Sequence, residues 1–200
     1  MTTKNVATAT KKRAKREQQR ESIVQVLKDH VLTHGLAKTS LRQLADACGV
    51  SNRMLMYYFE DKAEIMQIVL LCMGEELAHK LNVAIPEPTQ ASEYFTAHDL
   101  FKQVAQLTLS DAVRPYMSLW FEVAAAASRG EQPFVHVAQT IGDVFMLWMK
   151  QRLAPSTSED ADVTAAAMLA VIDGLGLLRH YLPDTMIASA AERMVDAFTS

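Results

Sequence analysis

Apolar residues recur at helical spacing through most of the chain. Ile23, Val24, Leu27 and Val31, with His30 beside them, mark the inner face of a first helix from Arg20 to His34, and Gly35 is its C-terminal stop. Ser40 and Gln43 form a capping box for a second helix, whose inner face is Leu41, Leu44, Ala45 and Cys48. Gly49 supplies the positive φ of a sharp turn that Val50 plugs. Ser51 caps a third helix with an inner stripe of Leu55 and either Tyr58 or Phe59. Asp61, with Glu64 as its capping-box partner, opens a long helix to about Val83. Pro86 and Pro88 make Ala84 to Ala97 a loop or hinge. Helices follow at about His98–Leu109, Ala112–Ser128, Pro133–Leu153, Asp160–Leu182 and Asp184–Thr199. Pro115 and Pro133 fit helix starts, Gly130 is a stop, and Ala154 to Ser158 is a connector. The class is all-α.

The stretch Ser40 to Lys62 has the further signature of a helix-turn-helix. Ala45, Gly49 and Leu55 stand four and then six apart: a small residue where two helices cross, glycine in the turn, and an apolar residue on the second helix. This pattern points to a DNA reader. Lys62, in the first turn of the following helix, opposes the helix dipole; it is either a phosphate contact or an ordinary exposed lysine.

Composition adds limits. The chain has 200 residues, half of them hydrophobic, which suits one large domain or two small ones. No run reaches the ~18 uncharged apolar residues that cross a bilayer, and no secretory signal is evident, so a membrane partner is not expected. Cys48 and Cys72 fall on apolar helical faces and read as buried residues of a cytoplasmic protein. The net charge of −3 is unevenly spread: residues 1–62 carry +6 and residues 63–200 carry −9. A basic first part suits a polyanion, and an acidic remainder would keep the docking orientation single. Residues 1–19, with Lys11, Lys12, Arg13, Lys15 and Arg16 clustered, read as a flexible arm that either contacts DNA or merely aids solubility. The expected division is therefore 1–19 arm, 20–65 helix-turn-helix domain, and 66–200 a helical domain for effector binding and dimerisation.

The chemistry of an enzyme is not visible. His30 and His34 stand four apart but lack a third ligand, so no metal is expected. There is no HExxH, no Gly-x-Ser-x-Gly, no phosphate-cradling glycine loop and no paired cysteines. His98, His136 and His180 are scattered, and no cofactor is expected.

The segment TSLRQLADACGVSNRMLMYYFEDK resembles the TetR family of bacterial transcriptional regulators, through Thr39, Ser40, Leu44, Ala45, Gly49, Val50, Ser51, Leu55, Tyr57, Phe59 and Lys62. The resemblance is strongest over about Ser22 to Leu70. It implies a homodimer of nine-helix subunits, a four-helix bundle made by the last two helices of each, and an effector pocket in the C-terminal domain. The chain departs from the family's Gly-Thr-Leu-Tyr at Arg53-Met54-Leu55-Met56. Arg53 gains a fork that can grip guanine O6 and N7, and Met56 can touch a thymine methyl. Asn52 and Arg53 are the candidates for base discrimination, against a reading of Arg53 as a solvated surface residue. Tyr57 and Lys62, with Thr39, Ser40 and Arg42, are candidates for the DNA backbone. Ser51, Met54, Met56 and Tyr58 complete the candidate DNA-binding set.

Further along, small residues from Ala161 to Gly176 allow close helix approach. Ala166, Ala170, Asp173, Gly174 and Leu177, with Met194 and Phe198 of the last helix, form the candidate dimer seam. An internal core helix would show the same pattern. Phe101, Tyr116, Met117, Trp120, Phe121, Phe145 and Met146 are candidates for an effector cavity, or core filling. Glu122, inside WFEVAAAA, would bond a ligand or pair with a cation such as Arg114 or Arg129. The function expected is a repressor released from a palindromic operator on double-stranded DNA by a small apolar or amphipathic effector. The alternatives are an activator, an effector-independent regulator, or a nonspecific DNA-binding protein.

Overall fold

The computed structural model describes residues 3–155 and 158–197, with side chains over 13–155 and 160–196. Among the described residues there are nine α-helices: α1 Thr3–His34, α2 Leu41–Ala47, α3 Asn52–Tyr58, α4 Lys62–Ala84, α5 Ala97–Thr108, α6 Arg114–Ser128, α7 Phe134–Lys150, α8 Ser158–Leu178 and α9 Asp184–Ala197.

Local chemistry accounts for the first three boundaries. Gly35 takes φ +66° and its N–H closes on the Val31 carbonyl at 2.8 Å, ending α1. The Ser40–Gln43 box opens α2 in both directions. Gly49, at φ +64°, turns the chain, and Ser51 accepts the Met54 N–H at 3.2 Å to start α3. Asp61 caps α4 by accepting the Glu64 N–H at 2.8 Å, but the Glu64 carboxylate accepts from Glu60 N–H rather than from the cap residue.

One correction concerns the N-terminal part. The first helix begins at Thr3, not Arg20, so residues from Thr3 to Gln19 continue α1. The expected domain boundary at 65–66 falls inside α4, and the core does not break there. Leu27 and Val31 of α1, Leu44 of α2, Leu55 and Phe59 at α3 and Ile65, Val69 and Met73 of α4 form one cluster. That cluster also takes in Tyr116, Leu119 and Val123 of α6 and Val137 of α7. A second cluster joins the end of α4 to α5, α7, α8 and α9. The reader is thus seated on α6 by shared apolar burial.

The proline-containing connection from Ile85 to Thr96 is not a free hinge. Arg152, almost fully buried, donates to the Ile85 carbonyl at 2.8 Å, the Trp148 carbonyl at 2.9 Å and Asn82 Oδ1 at 2.7 Å. Phe95 N–H then donates to the Arg152 carbonyl at 2.9 Å, and Ala154 N–H to the Phe95 carbonyl at 2.8 Å. Buried guanidinium donors need such acceptors, and here they staple the connection to the end of α7.

In α8, residues Asp160–Leu178 are long and apolar enough to cross a membrane by length and composition, although Asp160, Asp162 and Asp173 interrupt the run, so no stretch of ~18 uncharged residues occurs there. The helix packs on α5, α6, α7 and α9 through Ala165, Met168, Ile172 and Leu175. Its other side, with Val163, Ala166, Ala170 and Leu177, is exposed.

Candidate functional site

The outer face of α3 is open. Leu55 is fully buried and Phe59, not Tyr58, completes the inner stripe; the turn of the helix then throws Asn52, Arg53, Met54 and Tyr57 outward. Met54 is 46% and Tyr57 52% exposed. Met56 and Tyr58 are half buried against the reader's core, which limits what they can offer a base. At the entrance of α2, Ser40 and Arg42 are exposed. Thr39 is not: it is 3% exposed and its hydroxyl donates to the Leu36 carbonyl at 2.7 Å. It closes the α1–α2 corner instead of facing a phosphate. Ser51 and Lys62 are both exposed at the starts of α3 and α4.

Cations from α1 reach this face. Arg16 Nη2 donates to the Tyr57 carbonyl at 3.0 Å, and its guanidinium lies 5.0 Å from the Tyr57 ring centroid. Arg20 pairs with Glu64 at 2.8 Å and stacks over Phe59 at 5.0 Å. Apolar periodicity could not reveal these interactions, because nothing apolar on this part of α1 makes them.

Behind the reader, helices α4 to α8 line a cavity of about 90 Å³. Four expected effector residues line it: Tyr116, Met117, Trp120 and Phe145. The other four do not. Phe101 is fully buried in the second core, and Met146 packs on that same core. Phe121 meets α8, where a Cβ added at Gly176 would lie 3.3 Å from its Cζ, and it stacks edge-on to His180 at 5.8 Å.

Glu122 is exposed, points away from the cavity, and has neither Arg114 nor Arg129 as partner. Its Oε2 accepts the Leu36 N–H at 2.7 Å. A second tie runs inward from the cavity wall. Tyr116 Oη donates to Glu76 Oε1 at 2.6 Å, and Lys28 of α1 pairs with Glu76 Oε2 at 2.5 Å. The hydrogen bonds from Lys28 and then Tyr116 hold the Glu76 carboxyl down to about 2.

Asp173 is the cavity's charged group, where the sequence suggested a seam residue. It lines the space beside Trp120, whose Nε1 donates to its Oδ2 at 3.3 Å. Burial pushes its pKa above the usual carboxylate range, with the indole hydrogen bond opposing. Its one visible sign in sequence is an acid within the otherwise apolar run from Met168 to Leu178. Of the remaining seam residues, Ala166, Ala170 and Leu177 are exposed, and a Cβ added at Gly174 would meet nothing within 4 Å. Met194 is half buried against the second core. Phe198 lies outside the described residues.

Comparison with known proteins agrees with this layout. The model for bacterial regulatory proteins of the tetR family matches residues 31–69, and that for the BetI-type transcriptional repressor C-terminal domain matches residues 98–200. A transcriptional regulator from Rhodococcus sp. Rha1 superposes with a TM-score of 0.69 at 21% identity, covering 90% of this chain and 95% of its own. A regulator from Saccharomonospora viridis in complex with choline has a TM-score of 0.66 at 18% identity, with 90% and 96% covered. The multidrug binding protein EbrR complexed with proflavin has a TM-score of 0.63 at 23% identity, with 87% and 98% covered. The family is one of DNA-binding regulators, not of enzymes. With both of its parts matched, and with the reading helix exposed where the fold requires it, this chain belongs to the TetR family of transcriptional regulators and carries a BetI-type C-terminal domain.

Proposed function

We propose that the chain is a cytoplasmic repressor that binds a palindromic operator as a two-fold dimer and is released by a small organic cation with an apolar body. Asn52 and Arg53 read bases in the major groove; Ser40, Arg42, Tyr57 and Lys62 hold the backbone on either side. The exposed apolar face of α8, from Val163 to Leu177, forms the seam with a second copy. This would set two readers about one DNA turn, ~34 Å, or a multiple of it apart.

The observation that carries the effector reading is the cavity. Its walls are aromatic and aliphatic, and Asp173 is a half-buried carboxylate with one hydrogen bond from Trp120. Such a group is stabilised by a desolvated cation, and aromatic faces attract one too. The solved relatives bound to choline, a quaternary ammonium, and to proflavin, a planar aromatic amine, support the same class.

The cavity's size supplies the switch. At about 90 Å³ it is small beside the ~300–1,000 Å³ of ordinary ligand pockets, so occupancy forces its walls apart. Met73, Met117 and Met149 can adapt, but α6 must also move. The α6 helix holds the reader directly through Glu122 and indirectly through Tyr116, Glu76 and Lys28. A ligand that favours the widened state therefore disfavours the reader's docking angle, with coupling of typically about 1–3 kcal/mol.

The test is a selection of bound duplexes from random DNA, followed by titration of the best one with quaternary ammonium and aromatic amine compounds. Release by cations, weakened in Asp173→Asn and weakened as pH falls through the raised Asp173 pKa, is the expected result. Equal release by neutral isosteres, indifferent to Asp173→Asn, would remove the cation reading. Absence of any preferred duplex would remove the operator.

A further inference from the structure

Residues 13–19 of α1 add no apolar burial to the fold. All seven are exposed, and among the described side chains of the helix Ile23 is the first that is buried. Yet this segment is anchored, and at an informative place. Arg16 clasps Tyr57 by its carbonyl and its ring, and Arg20 clasps Phe59 and Glu64 one turn further along. Both anchors sit where the reading helix ends and α4 begins. The extension is therefore fixed relative to the element that enters the groove.

Its charge is one-signed. Lys11, Lys12, Arg13, Lys15 and Arg16 fall within six residues, and Glu17 is the first acid in the chain. Arg13 and Lys15 are exposed, with no ion-pair partner among the described residues. A helix gains nothing from clustered like charges, which repel at i,i+4 spacing. They become favourable beside a polyanion. From Arg16 back to Thr3 the helix reaches about 20 Å beyond Tyr57, at ~1.5 Å per residue.

Resting on the reading that α3 occupies the major groove, we propose that residues 3–16 of α1 form a second DNA-contacting element. It is a cationic rod, aimed by the Arg16–Tyr57 clasp, that engages phosphates flanking the groove. Its contribution is sequence-independent, because phosphates carry no base identity. It raises affinity for any duplex and makes that affinity steeper in salt, leaving discrimination to α3.

The experiment compares the full chain with the double variant Arg13→Gln, Lys15→Gln on the selected duplex and on an unrelated one, across a salt titration. Both side chains are exposed, so folding is preserved, and circular dichroism checks it. Each phosphate that the helix no longer neutralises should lower the slope of log affinity against log salt by about 0.9. For two phosphates, the variant's fall in affinity between ~50 and ~200 mM salt would be roughly tenfold smaller than that of the parent chain. The same change is expected on both duplexes. An unchanged slope overturns the rod. A variant whose preferred flanking bases change while its slope does not would also overturn it, since that result marks base reading in the minor groove. If the parent chain itself shows no preferred duplex, the operator reading fails first, before any substitution is made.

Discussion

The close approach of Gly35 to Glu122 yields a prediction whose size can be worked out. A Cβ added at Gly35 would overlap Glu122 Oε1 and lie 2.9 Å from both Cδ and Oε2, so Gly35→Ala must expel the carboxylate. The substitution also places an L side chain at φ +66°, which costs roughly 1–2 kcal/mol. Losing the 2.7 Å bond to the Leu36 N–H adds about 1 kcal/mol, below the ~1.5–3 of buried charged hydrogen bonds because this one is exposed to solvent. Gly35→Ala should thus cost about 2–3 kcal/mol and Glu122→Ala about 1 kcal/mol. With both present the carboxylate's bond is removed only once, so the double variant should cost about 2–3 kcal/mol and not the ~3–4 of the sum. Urea unfolding of the four proteins measures this coupling of about 1 kcal/mol, and in a chain of this length each kcal/mol should move Tm by roughly 2–4 °C. Additivity within ~0.3–0.5 kcal/mol would show that Gly35 and Glu122 do not share an interaction.

Other substitutions test separate parts of the reading. Arg53→Ala should cost about 1–3 kcal/mol on the selected duplex and blur one base position; an equal loss on every sequence in a binding array would make Arg53 a phosphate contact. Glu76→Gln should flatten the acid limb of stability. The carboxyl falls from 4.5 to about 2 on folding, so its stabilisation is complete above 4.5 and is lost as pH drops toward 2. Thermal melts across that window check it, and a limb that keeps its slope would show that the Lys28–Glu76–Tyr116 tie contributes nothing. Leu177→Arg, on the exposed side of α8, should convert a dimer to monomers in sedimentation and weaken operator binding sharply; a variant that stays dimeric would place the seam elsewhere.

The helix-turn-helix is legible in the sequence because its determinants are local. Ser40, Gln43, Gly49, Ser51 and Asp61 act within four residues of themselves, and each is found where the spacing puts it. The C-terminal helices are legible as elements for the same reason. Their side-chain roles are not. Phe101 and Phe145 both lie on amphipathic helices, and only the crossing of α5 over α9, and of α7 over α4 and α6, sends one into the core and the other to the cavity. Glu122 looks like a partner for an arginine because sequence shows charges but not unpaired backbone donors; its partner is an N–H of the α1–α2 corner. The start of α1 escapes apolar periodicity, which is blind to a helix supported by arginines on aromatic rings. Arg152 gives no sign of itself at all, since nothing in its neighbours signals that its acceptors include the Ile85 carbonyl and the Asn82 side chain, some seventy residues away.

These features converge on α6. Met117 and Trp120 line the cavity, Leu119 and Val123 line it and also enter the reader's own core, and Glu122 ties the helix to the α1–α2 corner. A separate DNA-binding domain on a linker would let an effector bind without consequence, because a flexible link transmits no orientation. Here the reader cannot keep both its apolar seat and its hydrogen bonds if α6 shifts, since packed interfaces tolerate discrete rearrangement better than continuous strain. The small cavity and the shared core are thus two halves of one requirement. In the proposed switch the first would make a ligand move α6, and the second would make that movement reach α3.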